Sequence, residues 1–141
     1  MSDIKDRIKQ AFELAGVFAS LKKEVERNID KISGYLTEIT GGKISFFYKN
    51  VNIANYEANN GVFIKHVDDK INANTIFIFA YSIDDVKAYP VLIEDDDDRS
   101  YFYTEEELNE ELVRRITDDE TMSLIYKLIN KVDEEKEDIP F

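Results

Sequence analysis

The sequence predicts an α+β fold: a long N-terminal helix, an antiparallel β-meander of about five or six strands, two C-terminal helices and a short acidic tail. Three observations predict it. Apolar residues recur at helical spacing up to a Gly-Gly pair at 41–42, alternate with a period near two from there to about residue 103, and return to helical spacing afterwards. At 141 residues, with no linker-like stretch, the chain reads as one domain over 1–132: helix 1–40, sheet 43–103 and helices 104–132. An exposed acidic tail over 133–141 follows.

The first helix can be capped by Ser2 or Asp3. Ile4, Ala11, Phe18, Val25, Ile32 and Ile39 then share one seven-residue row, and Ile8, Ala15, Ile29 and Leu36 the neighbouring row, broken only by Lys22. A seam of about five heptads suits two arrangements equally. The helix can lie across its own sheet, or associate with a second copy through Ile8, Phe18, Val25, Ile29, Ile32 and Leu36. Leu14, Val17 and Leu21 widen the stripe, while Gly16 and Gly34 each weaken the rod by about 1 kcal/mol relative to Ala and mark places where it can bend.

Thr40-Gly41-Gly42 ends the helix, because Gly enters the left-handed conformation that other residues resist. Strands are expected over 43–48, 51–58, 62–67, 75–81, 89–94 and 99–103. Asn59-Asn60-Gly61 reads as a tight turn, 75–81 is apolar on both faces and therefore central, and Asp95-Asp96-Asp97-Asp98 joins the last two strands. Thr104 with Glu107 forms a capping box ahead of Leu108, Leu112 and Ile116. Thr117 with Glu120 forms a second, ahead of Met122, Ile125, Ile129 and Val132.

Composition narrows function. A net charge of -12 and a pI near 4.5 oppose direct binding to nucleic acid or anionic lipid, so basic protein surfaces are the favoured partners. The absence of Cys excludes disulfides, thiolate metal sites and thiol nucleophiles. No apolar run is long enough to span a membrane or act as a signal sequence, and a soluble cytoplasmic protein is expected.

His66, the sole histidine, falls in a predicted strand with no HExxH, GxSxG or P-loop spacing around it. The aspartates Asp95 to Asp98 lack the alternation and turn glycine of a calcium loop and read as a solvated hairpin. Phe46, Phe47, Tyr48 and Phe63 read as core, because the surrounding charge is wrong for a base-stacking platform. No enzyme, metal or cofactor is expected.

The tail is chemically unusual. After the run Glu134-Glu135-Lys136-Glu137 the sequence continues Asp138-Ile139-Pro140-Phe141, setting apolar side chains where a solvated tail would omit them. Pro140 removes a donor and holds the chain extended, so Ile139 and Phe141 cannot prolong a helix. These four residues resemble the C-terminal tip of bacterial single-stranded DNA-binding proteins (SSB), which docks into pockets on replication, recombination and repair enzymes. The resemblance covers only the tip. It implies Phe141 as anchor, with its ring in an apolar pocket and its carboxylate on a basic residue. Pro140 and Ile139 would pack beside it, and Asp138 and Glu137 would meet a basic ridge.

Three functions follow as expectations. The first is an interaction protein that uses this tip to bind, recruit or inhibit a DNA-processing enzyme, as a phage or mobile-element modulator would. The second is an acidic DNA mimic that occupies a basic groove of a nuclease, restriction or defence protein, with Asp84, Asp85 and Asp95, Asp96, Asp97, Asp98 as phosphate surrogates. The third is an immunity-type or oligomeric structural protein acting through its sheet or N-terminal helix.

Overall fold

A computed structural model describes residues 2–69 and 74–137. The order is α1 (Ser2–Ile39), β1 (Ile44–Asn50), β2 (Asn60–His66), β3 (Ile76–Asp84), β4 (Ala88–Glu94), β5 (Arg99–Phe102), α2 (Glu105–Thr117) and α3 (Asp119–Glu137). Among the described residues the strands form one antiparallel sheet in the order β1-β2-β3-β4-β5. This is the α+β meander that the period changes predict.

Helix α1 runs unbroken through Gly16 and Gly34 and stops where expected. Gly41 and Gly42 have φ of 66° and 79°, and their N–H groups donate to the carbonyls of Glu38 and Thr37, satisfying two of the last orphan acceptors. The helices share one face of the sheet. Val25 and Ile29 of α1, Leu108 and Leu112 of α2, and Val62, Phe79, Val91 and Ile93 of the strands form one apolar cluster. Leu36, Ile116, Ile125, Leu128 and Val132 form a second with Ile44 and Ile64.

Strand β3 is the middle strand, as its two-sided apolarity predicts. A register shift makes that possible: Val62 pairs with Phe79 but Phe63 with Phe77, so Ile78 is a bulge residue and the alternation changes phase there. Phe79 and Tyr81 therefore join the helix-side core while Phe77 and Ala80 pack on the far side. On that far face Phe47 stacks on Phe63 at 5.2 Å and Phe63 meets Phe77 at 5.4 Å, a cross-strand aromatic row. Phe46 packs against the helix-side clusters instead.

Four expectations are corrected. Residues 51–58 form no strand; they cross the far face as a loop that sets Val51, Tyr56 and Ala58 against Ala80 and Leu92. Their amides are taken elsewhere, since Glu57 and Ala58 donate to the Glu94 carboxylate, and Asn55 has a φ of 71°. Asn60 and Gly61 are consequently ladder residues of β2, not a turn. Gly is needed at 61 for close packing: a Cβ there would lie 2.6 Å from the Phe63 ring and 2.7 Å from Val51.

Thr117 belongs to the last turn of α2, where its hydroxyl donates to the Val113 carbonyl at 2.7 Å, and Asp118 caps α3 through the Thr121 N–H at 3.3 Å. An aspartate caps as well as a threonine, and the pair Thr117-Asp118 left that choice open to packing. Finally, α3 continues to Glu137, so 133–137 is helix and Asp133 contacts the body through Lys43.

The seam on α1 also divides. Val25 and Ile29 are 0% and 2% exposed and Leu36 is buried, with Ile32 packed between them, whereas Ile4, Ile8 and Phe12 are 54%, 67% and 80% exposed. Ile29→Ala should cost about 2–5 kcal/mol of folding free energy in urea titrations. Ile8→Ala should change it by less than about 0.5 kcal/mol when both are measured dilute enough to keep the chain monomeric.

Candidate interaction sites

The acidic hairpin between β4 and β5 is organised by one cation. Arg115 of α2 is 6% exposed and reaches Asp95 at 2.7 Å, Asp98 at 3.1 Å and Glu111 at 3.1 Å. Asp95 also accepts from the N–H groups of Asp97 and Asp98, both at 2.8 Å, and Asp96 accepts from the Tyr56 hydroxyl at 2.8 Å. Asp84 caps the β3–β4 turn by accepting from Val86 and Lys87, and Asp85 lies 3.8 Å from Lys22 of α1. Several carboxylates expected as phosphate surrogates are thus held by internal donors. The loop is the exposed hairpin the sequence suggests, with Asp96, Asp97 and Asp98 open to solvent, and its conformation is held by these donors.

Glu94 is the pivot beside it. Its side chain is buried, and it receives the Glu57 and Ala58 N–H groups at 2.9 and 3.0 Å and the Arg99 guanidinium at 2.8 Å. Burial alone would raise its pKa. The Ala58 N–H, Arg99 and the Glu57 N–H outweigh that and hold the carboxyl below its ordinary value of 4.5. Arg99 extends the clamp to Glu57 and to the Asn55 carbonyl, and the Tyr101 hydroxyl donates to Glu57 at 2.7 Å.

His66 is buried at the C-terminal end of β2, 1% exposed. Its Nδ1 accepts from the Asp68 N–H at 3.1 Å, which in the neutral ring leaves the proton on Nε2. Nε2 sits 3.3 Å from Asp133 Oδ1, close but poorly aimed for a hydrogen bond. Lys43 holds the other oxygen of Asp133 at 2.6 Å and, with His66, lowers the pKa of that carboxyl. This cluster fastens α3 to β2 and the start of β1. Among the described residues no group of His, Asp and Glu is arranged to hold a metal ion.

An extended exposed apolar surface lies on α1. Every residue from Asp3 to Val17 is exposed, and Leu14 and Val17 are half-exposed on the same segment as Ile4, Ile8 and Phe12. Phe18 is partly covered, and a cleft of about 650 Å³ separates this segment from the β3–β4 turn, lined by Leu14, Phe18, Ala11, Ala15, Asp85 and Val86. Of the residues assigned to self-association, Ile8 and Phe18 lie on the open segment, while Val25, Ile29, Ile32 and Leu36 are taken up by the chain's own core.

No family model, curated protein or solved structure matches this chain. The candidate sites therefore stand on their own geometry. Glu137 is the last residue of α3, and the remaining tip residues Asp138, Ile139, Pro140 and Phe141 lie outside the described residues. No helix of the described residues is long and apolar enough to cross a membrane. Sequence reasoning missed the roles of Arg115, Glu94 and Asp133, whose partners lie 17 to 90 residues away in the chain, apart from neighbours such as Arg99 and Glu111.

Because the folded pKa of Glu94 is depressed, its contribution is complete above its ordinary value of 4.5 and is lost as pH falls through the lowered folded value. Urea titrations from about pH 3 to pH 7 should show Glu94→Gln less stable than wild type by about 3 kcal/mol at neutral pH, with the gap narrowing in acid. Arg115→Met, which leaves Asp95 and Asp98 without their cation while Glu111 keeps Arg114, should cost about 2–4 kcal/mol at neutral pH.

Proposed function

We propose that this chain is a non-enzymatic interaction protein whose C-terminal tip docks into a basic pocket of a DNA replication, recombination or repair enzyme and recruits or inhibits it. The observation that carries the reading is the tip itself, Asp138-Ile139-Pro140-Phe141 preceded by acids, set immediately after a helix that the body holds firmly. Ile125, Leu128 and Val132 bury one side of α3 in the core, and Asp133 ties its end to Lys43 and His66. The motif so begins directly after α3, whose last tie to the body is at Asp133.

The chemistry of the tip suits such a pocket. A buried Phe ring supplies about 2–3 kcal/mol, a terminal carboxylate takes a bidentate Arg, and the acids of the stem give salt-sensitive attraction to a basic rim. The internal pairing of Asp95, Asp96 and Asp98 weighs against the DNA-mimic reading, because carboxylates bound to Arg115 and Tyr56 are poorer phosphate surrogates than free ones.

The test is capture from bacterial lysate on immobilised full-length protein, compared with Phe141→Ala and with a variant extended beyond Phe141 by Gly-Ser, which moves the carboxylate. Exonucleases, helicases or repair mediators should be retained by the first alone, with a loss of at least about tenfold in both variants. An SSB tail peptide should compete for them. Equal capture by all three proteins would refute the tip as the binding site.

A further inference from the structure

We infer that the open segment of α1 is a dimerisation arm, which pairs antiparallel with the same segment of a second copy of this chain. The first support is size complementarity written into the sequence. Each large side chain near the free end is replaced by alanine one heptad later: Ile4 by Ala11, Ile8 by Ala15 and Phe12 by Ala19. A parallel pair would set large against large at one end and small against small at the other. An antiparallel pair centred near Ala11 and Phe12 sets Ile4, Ile8 and Phe12 of each arm against Ala19, Ala15 and Ala11 of its partner, large against small at three positions, which is knobs-into-holes packing made from one sequence.

The cleft is the second support. The wall of small side chains at Ala11 and Ala15 faces the β3–β4 turn across about 650 Å³ of open, mainly apolar space, on the half of the arm where the partner's Ile4 and Ile8 would arrive. Val86, 70% exposed at the tip of that turn, gives those side chains an apolar surface on the other wall. Arm and turn together form a slot for a helix.

Charge selects the occupant. Between Ser2 and Lys23 the arm carries five basic and three acidic side chains, in a chain whose net charge is -12, so the arm is a basic element on an acidic molecule. A second copy offers what it needs. In the antiparallel pair Lys5 and Arg7 at the free end of one arm approach Asp84 and Asp85 at the root of the other, and the Asp85 side chain is 96% exposed. Anionic lipid would attract the arm but repel the body, whereas in the pair the like charge of the two arms is offset by the carboxylates of Asp84 and Asp85 at each root.

The experiment is sedimentation equilibrium and light scattering of the full chain at about 1–100 µM, with cysteine cross-linking in a protein that has no native Cys. The native chain should approach twice 16.4 kDa. Ile8→Ser combined with Phe12→Ser should return it to monomer with an unchanged circular dichroism spectrum, since neither residue is in the core. Arg7→Glu should weaken the dimer at least about tenfold, and adding Asp85→Arg should restore it. Under mild oxidation Ala11→Cys, near the two-fold axis, should cross-link far faster than Ser20→Cys. A chain that stays at 16.4 kDa throughout, that sediments as monomer with anionic vesicles, or that cross-links equally at both positions would overturn the proposal.

Discussion

The structure depends on a mismatch of length. A helix of 38 residues is about 57 Å long, whereas strands of 4 to 9 residues reach about 13–30 Å and the five side by side span about 20 Å. No placement of α1 on this sheet can cover more than about half of it. The stretch that finds the sheet, from Val25 to Leu36, becomes core; the stretch from Asp3 to Val17 keeps the same apolar spacing but stays exposed. A single-domain helix that needed only to cover its sheet would end or turn polar where the sheet ends. The persistence of Ile4, Ile8 and Phe12 beyond that edge is the feature that calls for a partner.

Polar clamps fix the rest. Among the described residues no helix lies on the far face of the sheet, and it is covered in part by a loop that sets Val51, Tyr56 and Ala58 against it. Glu94 and Arg99 hold that loop by its backbone, at Glu57, Ala58 and Asn55, and this in turn shields Ala80 and Leu92. Arg115 draws the β4–β5 hairpin onto α2 in the same manner. Such groups are costly to bury alone and strongly coupled once paired, so the strain of removing one falls on its partners. High acidity here is in part a store of acceptors for internal donors.

Most of the fold was legible because it is written in local signals. The change of period at Gly41-Gly42, the pattern over β3 to β5, and the Thr104-Glu107 box each act within a few residues. In that box Thr104 accepts from the Glu107 N–H, although Glu107 returns to the Tyr103 N–H instead of the cap's own. What was not legible depends on distant partners. Val51 to Ala58 has strand-like composition, and only the capture of its amides by Glu94, more than thirty residues on, makes it a loop. Asn60-Gly61 has the letters of a turn, but the crowding of Phe63 and Val51 makes the glycine a packing residue. The seam on α1 gave no sign of where it divides, since the width of the sheet is not encoded in the helix. For the tip the legible part is the motif, and for Asp133 nothing local marked its link to Lys43 and His66.

The two proposed surfaces reinforce each other through geometry, not shared residues. Tip peptides of this kind bind through one ring, one carboxylate and a few screened charges, so each tip alone is held weakly to moderately and released in moderate salt. The proposed pairing of α1 would give a particle with two tips, each following a stem tied to its body at Asp133. Against a partner that presents two pockets, or a surface crowded with partners, the second docking becomes intramolecular, and avidity of about 10²–10⁴ over a single tip follows with no new contact. Rigidity cuts the other way as well. A stem tied to the body at Val132 and Asp133 would search a smaller volume than a long disordered linker, so the proposed pair would favour partners whose pockets lie within a narrower range of separations than a flexible bivalent tail would accept.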